Sequence, residues 1–184
     1  MNQEKPQKVL VAFFSRAGEN YAVGRVAKGN TQMVAEQIAA RTGAACFHLE
    51  PLHPYPEDYE ACIRVAQEEL RAQARPALRA DVAAEDYDVT LIGYPNWWGD
   101  LPMPVYTFLE RHDWQGKTAT PFCTHEGSGL GHTERLLARA CPGATLLPGL
   151  AIQGTAAQRG TEAVGRSIGR WLEMLNLHLE PSWK

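Results

Sequence analysis

Short apolar runs alternate with amphipathic stretches along most of the chain, and this alternation constrains the fold more than any other feature. Residues 9–14 are continuously apolar, as expected of a strand buried on both faces of a parallel sheet. Four further runs follow, at residues 46–49, 89–94, 118–123 and 145–152. Because helical patterns separate the runs, right-handed βαβ units are the expected connections.

The segments between these runs carry helix signals. Residues 31–42 lie between Asn30, a residue type favoured at helix N-caps, and Gly43, a residue type favoured after helix ends. A second helix is expected at residues 57–74, and shorter patterns follow at 104–110, at 133–140 and around 164–175. We therefore expect an α/β fold in which one five-stranded parallel sheet is covered by helices on both faces.

Length and charge narrow the function classes. The chain has 184 residues, which suits a single domain, with its core at about residues 8–176 and a C-terminal tail at 177–184. A net charge of −3 argues against binding nucleic acid or anionic membranes through bulk charge. The polar N-terminal residues and the lack of a long apolar run favour a cytoplasmic protein.

The cysteines and histidines show no metal-site spacing. The four cysteines form no C-x-x-C pair, and we expect them to be buried free thiols. The six histidines match neither H-x-H nor H-E-x-x-H. No metal site and no catalytic nucleophile is therefore predicted, and Trp183 near the C-terminus has no assigned role.

Ligands of such sheets bind beyond the carboxyl ends of the strands. The loop after the first strand begins at Ser15 and leads to Gly29, Asn30 and Thr31, where a helix starts. Backbone N–H groups at a helix start, with hydroxyl and amide side chains beside them, suit a phosphate monoester. The alternative is that Asn30 and Thr31 only cap the helix.

The loop after the third strand contains two adjacent tryptophans, Trp97 and Trp98, between Asn96 and Gly99. Large aromatic surface at a strand end is accounted for by a planar ligand that stacks on it. The alternative is that the indoles pack beneath the loop as part of the core.

The loop after the fourth strand runs through Thr124, His125, Glu126, Gly127 and Gly129. Glycines let the backbone approach a ligand closely and present N–H donors to it. The alternative is a flexible turn without a ligand.

Together these motifs make the chain resemble the flavodoxin family over residues 8–175. The Pro-x-Trp-Trp-Gly loop and the Thr-His-Glu-Gly-Ser-Gly loop are similar to those of a bacterial flavodoxin-like subgroup. The resemblance implies a doubly wound flavodoxin-like sheet with strand order 2-1-3-4-5 and one non-covalently bound FMN.

The resemblance also implies a cofactor site, residue by residue. The helix-start loop matches the phosphate positions, with Arg16 and Lys28 adding charge beside them. The tryptophan loop matches the segment that holds the flavin ring, and the glycine loop matches the segment on the ring's other side. The implied cofactor-binding residues are Ser15, Arg16, Lys28, Gly29, Asn30, Thr31, Pro95, Asn96, Trp97, Trp98, Gly99, Thr124, His125, Glu126, Gly127 and Gly129.

Two departures from the family pattern matter. Residues 16–26 are an insertion in the phosphate loop, and we expect it either to cover the flavin or to shape a partner site. The third loop carries His125 near the place where many flavodoxins have a tyrosine that stacks on the flavin. Asp100 and Glu126, which lie in the flavin loops, are expected to disfavour negative charge on the reduced ring.

The favoured function is electron transfer, in which FMN shuttles electrons between redox partner proteins. The first alternative is an NAD(P)H-dependent FMN quinone or azo reductase, and the second is a non-redox interaction module of the same fold. No nucleic-acid or membrane partner is expected, and the protein is predicted to be a monomer or weak dimer.

Overall fold

The computed structural model describes residues 5–179, in which the apolar runs form the central sheet. The strands are β1 (Val9–Phe13), β2 (Gly18–Asn20), β3 (Gly24–Val26), β4 (Ala45–His48), β5 (Val89–Pro95), β6 (Thr118–His125), β7 (Thr145–Leu146) and β8 (Leu150–Gln153). The main sheet has the order β4-β1-β5-β6-β7, and β8 also pairs with β6. All of its pairings are parallel, so the expected 2-1-3-4-5 order is confirmed.

The fifth predicted strand is split into β7 and β8, which pair with opposite ends of β6. Between them, the carbonyl of Pro148 accepts hydrogen bonds from the Thr120 hydroxyl and the Trp171 indole, each at 2.9 Å. Proline has no N–H to donate to a neighbouring strand, so the strand is interrupted there, and side chains donate hydrogen bonds to the Pro148 carbonyl instead.

Helices cover both faces of the sheet, as predicted. They are α1 (Asn30–Thr42), α2 (Tyr59–Ala72), α3 (Met103–Arg111), α4 (Thr133–Ala140), α5 (Gly154–Arg159) and α6 (Glu162–Leu175), and residues Ala84–Asp86 form a short 3-10 turn. Successive residues of β1 point to opposite faces: Leu10 joins the core under α3 and α4, whereas Val11 joins the core under α1 and α6.

The main sheet is closely packed where β5 and β6 meet. Gly93 of β5 lies opposite Phe122 of β6. A Cβ atom at Gly93 would lie 2.2 Å from the Phe122 ring, so only glycine fits at this position. This contact fixes the spacing of the two strands whose carboxyl ends carry the tryptophan and glycine loops.

Some element boundaries differ from the predictions. Helix α1 starts at Asn30, so this residue is its first helical residue and not its N-cap. The cap comes from elsewhere in the chain, because the Ser15 hydroxyl accepts the Gln32 N–H at 3.1 Å. Helix α2 starts at Tyr59, two residues later than predicted, because the Asp58 carboxylate caps it by accepting the Ala61 N–H at 2.7 Å.

Two elements and one buried position were not predicted correctly. The insertion contains an antiparallel hairpin of β2 and β3, and α5 follows directly after β8. The prediction that all four cysteines are buried is wrong for Cys46, which is exposed on the edge strand β4.

None of the helices within residues 5–179 has the length and apolarity needed to span a bilayer. Trp183 and most of the predicted tail lie outside the described residues. The assignment of residues 1–184 to one domain stays a prediction.

Candidate functional site

A cavity of about 300 Å³ opens where the three predicted loops meet at the carboxyl ends of β1, β5 and β6. This volume is at the lower end of the range for clefts that hold one small molecule. Nine of the predicted cofactor-binding residues line it: Arg16, Asn30, Pro95, Asn96, Trp97, Trp98, Thr124, His125 and Glu126. The other seven belong to the same loops but do not line the cavity: Ser15, Lys28, Gly29, Thr31, Gly99, Gly127 and Gly129.

The first loop is pressed tightly against the start of α1. A Cβ atom at Gly29 would lie 2.3 Å from Ser15 Oγ and 2.4 Å from the Arg16 carbonyl oxygen, so this position requires glycine. Since Ser15 accepts the Gln32 N–H, the N–H groups of Asn30 and Thr31 are the ones that helix geometry leaves for an anion.

Thr31 faces the sheet and not the cavity. Its hydroxyl forms a 2.8 Å hydrogen bond with the hydroxyl of Thr124, and both side chains are buried. This bond joins the helix-start loop to the glycine loop. Through its side chain, Thr31 therefore holds two loops together, and its N–H group is the part available to a ligand.

The two cations expected beside the phosphate are both engaged with the protein. The Arg16 guanidinium donates to the carbonyl oxygens of Glu19, Pro56 and Glu57, the last two at 2.6 and 2.8 Å. Arg16 thereby ties the inserted segment to the chain before α2.

The second cation, Lys28, forms a 2.6 Å ion pair with Glu36, the seventh residue of α1. Its ammonium group lowers the pKa of the Glu36 carboxyl through a side-chain hydrogen bond. Lys28 is therefore directed along the helix surface, and its role beside a phosphate stays a prediction.

The second loop ends in a tight two-residue hairpin. Trp97 and Asp100 exchange backbone hydrogen bonds of 3.2 and 3.0 Å. The residues between them, Trp98 and Gly99, have φ angles of 54° and 77°. Two left-handed residues in succession are typical of a type I′ turn, and a bulky residue such as tryptophan seldom adopts that conformation.

Asn96 connects the second loop to the third. Its side-chain oxygen accepts the Gly99 N–H at 2.9 Å, and its side-chain nitrogen donates to the Gly129 carbonyl at 2.8 Å. Its backbone N–H donates to the Thr124 carbonyl at 2.9 Å. The two loops are therefore held at a fixed separation across the cavity.

The two tryptophans have different environments. The Trp97 ring packs edge-on against Phe14 and Tyr55, with centroid distances of 5.3 and 5.2 Å. Trp98 lines the cavity and is 50% exposed. Both indoles line the cavity. The Trp97 ring is also packed on the core, whereas the Trp98 ring has the larger exposed surface, so stacking of Trp98 on a planar ligand stays a prediction.

The third loop is shaped by its own side chains. His125 Nδ1 accepts the Gly127 N–H at 2.9 Å. The Glu126 carboxylate accepts the N–H of Thr155 at 2.7 Å and the Thr155 hydroxyl at 2.8 Å. Gln153 donates to the same carboxylate at 3.2 Å. The carboxylate of Glu126 is therefore held by hydrogen bonds from the start of α5.

The inserted hairpin forms part of the cavity wall through Asn20 and Tyr21. It is fastened to the region before α2 by a backbone hydrogen bond of 2.8 Å from Glu19 to Glu57 and by a 2.6 Å ion pair between Arg25 and Glu57. The expectation that the insertion covers the ligand site agrees with this position.

Helix α2 supplies the remaining wall, which sequence reasoning missed. Tyr59, Cys62, Ile63, Ala66 and Gln67 line the cavity. Tyr59, Ile63 and Ala66 follow one another at spacings of four and three, as in the apolar stripe of an amphipathic helix. Such a stripe does not distinguish core from ligand-facing surface. Within residues 5–179, no group of three His, Cys, Asp or Glu side chains is arranged to hold a metal ion.

Solved structures of similar fold are flavoproteins by their descriptions. A protein from Bacteroides eggerthii, described as a candidate flavoprotein, is 28% identical with a TM-score of 0.66, covering 86% of this chain and 98% of its own. A similarly described protein from Bacteroides uniformis is 25% identical with a TM-score of 0.68, covering 92% and 99%. A flavoprotein in complex with FMN from Lactobacillus acidophilus is 17% identical with a TM-score of 0.62, covering 83% and 97%.

No significant match is found among curated proteins. The family model for flavodoxins matches residues 8–168, nearly the whole of the main sheet and its helices. The resemblance inferred from the three loops is confirmed, and it supports FMN as the cofactor. This chain belongs to the flavodoxin family.

Proposed function

We propose that this chain is an electron carrier that exchanges electrons with redox partner proteins through one non-covalently bound FMN. The observation that carries the proposal is a cavity to which all three predicted loops contribute, with a helix start on one side and the exposed Trp98 indole on another. These are the two kinds of surface that a phosphate and a planar ring require.

The residues of the cavity fit the parts of FMN. The N–H groups of Asn30 and Thr31, with the positive end of the α1 dipole, suit the phosphate. Trp98 would stack on the flavin ring, while His125 lies in the loop assigned to the ring's other side. When bound, FMN supplies the redox chemistry, and the protein binds it, orients it and limits its contact with water.

Two carboxylates near the ring loops would tune the reduction potential. Asp100 accepts hydrogen bonds from the Leu101 N–H and the Tyr106 hydroxyl, each at 2.7 Å. Glu126 is held by residues at the start of α5. Both carboxylates are fixed in place, so their negative charges would disfavour additional negative charge on the ring and lower the potential.

The same fold can serve a carrier or a reductase. The cavity of about 300 Å³ suits one ligand, and a neighbouring pocket of about 570 Å³ shares Arg16 with it and is also lined by Ser15 and Gln32. Structures of similar fold include an NADH:FMN oxidoreductase at 15% identity and an azoreductase at 12%. At such identities the likeness concerns the fold, and one fold supports several functions.

The test is an anaerobic reductive titration of the purified protein loaded with FMN, followed by visible absorption. Bleaching in two separated one-electron steps supports the carrier. Bleaching in a single two-electron step, together with rapid NAD(P)H oxidation when a quinone is added, supports the reductase. A protein that does not bind added FMN contradicts both and favours an interaction module.

A further inference from the structure

Gln158 of α5 lies between two acceptors at the start of α1. Its side-chain nitrogen donates to the Lys28 carbonyl at 2.7 Å and to Asn30 Oδ1 at 2.9 Å. A backbone carbonyl can only accept, so the amide nitrogen of Gln158, and not its oxygen, must face Lys28. The orientation of the Gln158 amide is therefore fixed, and both of its N–H groups are used.

This arrangement determines the orientation of Asn30. Because Gln158 presents a donor, the Asn30 side chain must present its oxygen, which turns its nitrogen the other way. Asn30 Nδ2 donates to no atom of residues 5–179, and Asn30 lines the cavity. A flip of this amide would exchange a donor for an acceptor at the start of α1.

The start of α5 is itself fixed against both loops. A Cβ atom at Gly154 would lie 2.2 Å from Asn30 Nδ2 and 2.8 Å from a carboxylate oxygen of Glu126. Glu126 also accepts the backbone N–H and the hydroxyl of Thr155. Helix α5 thus bridges the glycine loop and the helix-start loop, and it holds Gln158 at a set distance from Asn30.

We propose that Gln158 is a positioning residue that makes the cavity selective for a phosphorylated flavin. By holding Asn30 Oδ1, it fixes the Asn30 amide with its nitrogen as a donor beside Gly154, at the start of α1 where the first N–H groups of the helix also lie. A dianionic phosphate is the part of FMN that suits this group of donors. The inference rests on the proposed binding of FMN, and riboflavin, which lacks the phosphate, is the matched probe.

The experiment measures dissociation constants of the apo protein for FMN and for riboflavin by flavin fluorescence titration. Gln158→Met keeps the side-chain length and removes the donors. We expect it to weaken FMN binding about tenfold, as for the loss of a hydrogen bond to a charged group, and to leave riboflavin binding within about twofold. Gln158→Glu should weaken FMN binding further, because its carboxylate places acceptor oxygens against two other acceptors, the Lys28 carbonyl and Asn30 Oδ1.

The control is Gln115→Glu, the same substitution in the exposed turn before β6, at the opposite end of the sheet. It should leave both dissociation constants unchanged. The riboflavin affinity and the circular dichroism spectrum of each variant report whether the fold is intact.

A double-mutant cycle separates positioning from general damage. If Gln158 acts through Asn30, Gln158→Met should have no further effect on the ratio of the two dissociation constants once Asn30→Ala is present. An unchanged ratio in Gln158→Met, or an undiminished effect in the Asn30→Ala background, overturns the inference. Failure of the unaltered protein to bind FMN would instead overturn the proposed function.

Discussion

The hydroxyl groups of Thr31 and Thr124 lie 2.8 Å apart and form a hydrogen bond that joins the start of α1 to the carboxyl end of β6. The two side chains are 1% and 2% exposed, so water does not compete for the bond. This contact holds the helix-start loop against the glycine loop, and both loops contribute residues to the cavity.

Replacing either threonine with valine should therefore destabilise the protein. Thr31→Val or Thr124→Val leaves one buried hydroxyl without a partner, which costs about 1–3 kcal/mol. Replacing both removes the two polar groups together, so the double variant should lose less than the two single losses combined. Urea unfolding of the three apo variants measures this, and additive losses would contradict the proposed pairing.

The two tryptophans should contribute differently to the stability of the fold. Trp97→Ala removes a ring packed on Phe14 and Tyr55, so the free energy of unfolding should fall by about 3–5 kcal/mol. Trp98→Ala should change stability by less than about 1 kcal/mol, because an exposed ring with a positive φ contributes little to the core.

The same Trp98→Ala variant should bind FMN more weakly than the unaltered protein, as fluorescence titration would show. An unchanged FMN affinity would mean that Trp98 is not the stacking residue.

Glu69 should make stability depend on pH. Burial raises the pKa of its carboxyl, an effect partly offset by the hydrogen bond from the Tyr55 hydroxyl. A carboxyl whose pKa is higher in the folded state favours folding below its unfolded pKa of about 4.5, and this contribution is lost as the pH rises through the folded pKa. The free energy of unfolding of Glu69→Gln, minus that of the unaltered protein, should therefore be greater at pH 7 than at pH 4.

Urea unfolding at both pH values measures this difference. Glu68→Gln, on the exposed side of the same helix, is the matched control. Its difference in free energy of unfolding from the unaltered protein should be the same at pH 4 and pH 7. A Glu69→Gln difference that does not grow with pH would contradict the burial argument.

The cysteines should differ sharply in reactivity. Cys46 is exposed on the edge strand β4, and partial desolvation and the nearby Glu36 carboxylate raise the pKa of its thiol. Burial raises the pKa of the Cys123 and Cys141 thiols to about 12, and these two side chains are not accessible. A disulfide reagent at pH 8 should therefore modify one thiol rapidly in the folded protein, and Cys46→Ser should abolish that fast phase. Rapid modification of Cys123 or Cys141 would show that the core opens readily, whereas Cys62 can be reached through the cavity that it lines.

The strands of the main sheet could be predicted because their runs are largely apolar, and their order could be predicted from the resemblance to the flavodoxin family. Hairpin β2–β3 and helix α5 could not be predicted in the same way. The hairpin strands have the sequences Gly-Glu-Asn and Gly-Arg-Val, which lack an apolar alternation. Helix α5 has six residues, too few to show a helical period.

The site was predictable in its loops and not in the partners of its side chains. The contact of Gln158 with Asn30 spans 128 positions, and no local pattern encodes it. Lys28 has two plausible neighbours in sequence, the helix start and Glu36. Because a lysine side chain is long and flexible, the sequence alone does not rank an ion pair along the helix against a contact with a ligand.

Arg16 and Lys28 can be distinguished by the same titration. Lys28→Met should leave the FMN dissociation constant within about twofold, because Lys28 is paired with Glu36 away from the cavity. Arg16→Met removes the donors that tie the insertion to Pro56 and Glu57, so the hairpin wall should loosen and FMN should bind more weakly. Limited trypsin digestion should then cleave faster after Arg25 in Arg16→Met than in Lys28→Met. The opposite result would be equal cleavage rates in the two variants and a weaker FMN affinity in Lys28→Met. That result would place Lys28 at the phosphate, as the sequence alone suggested.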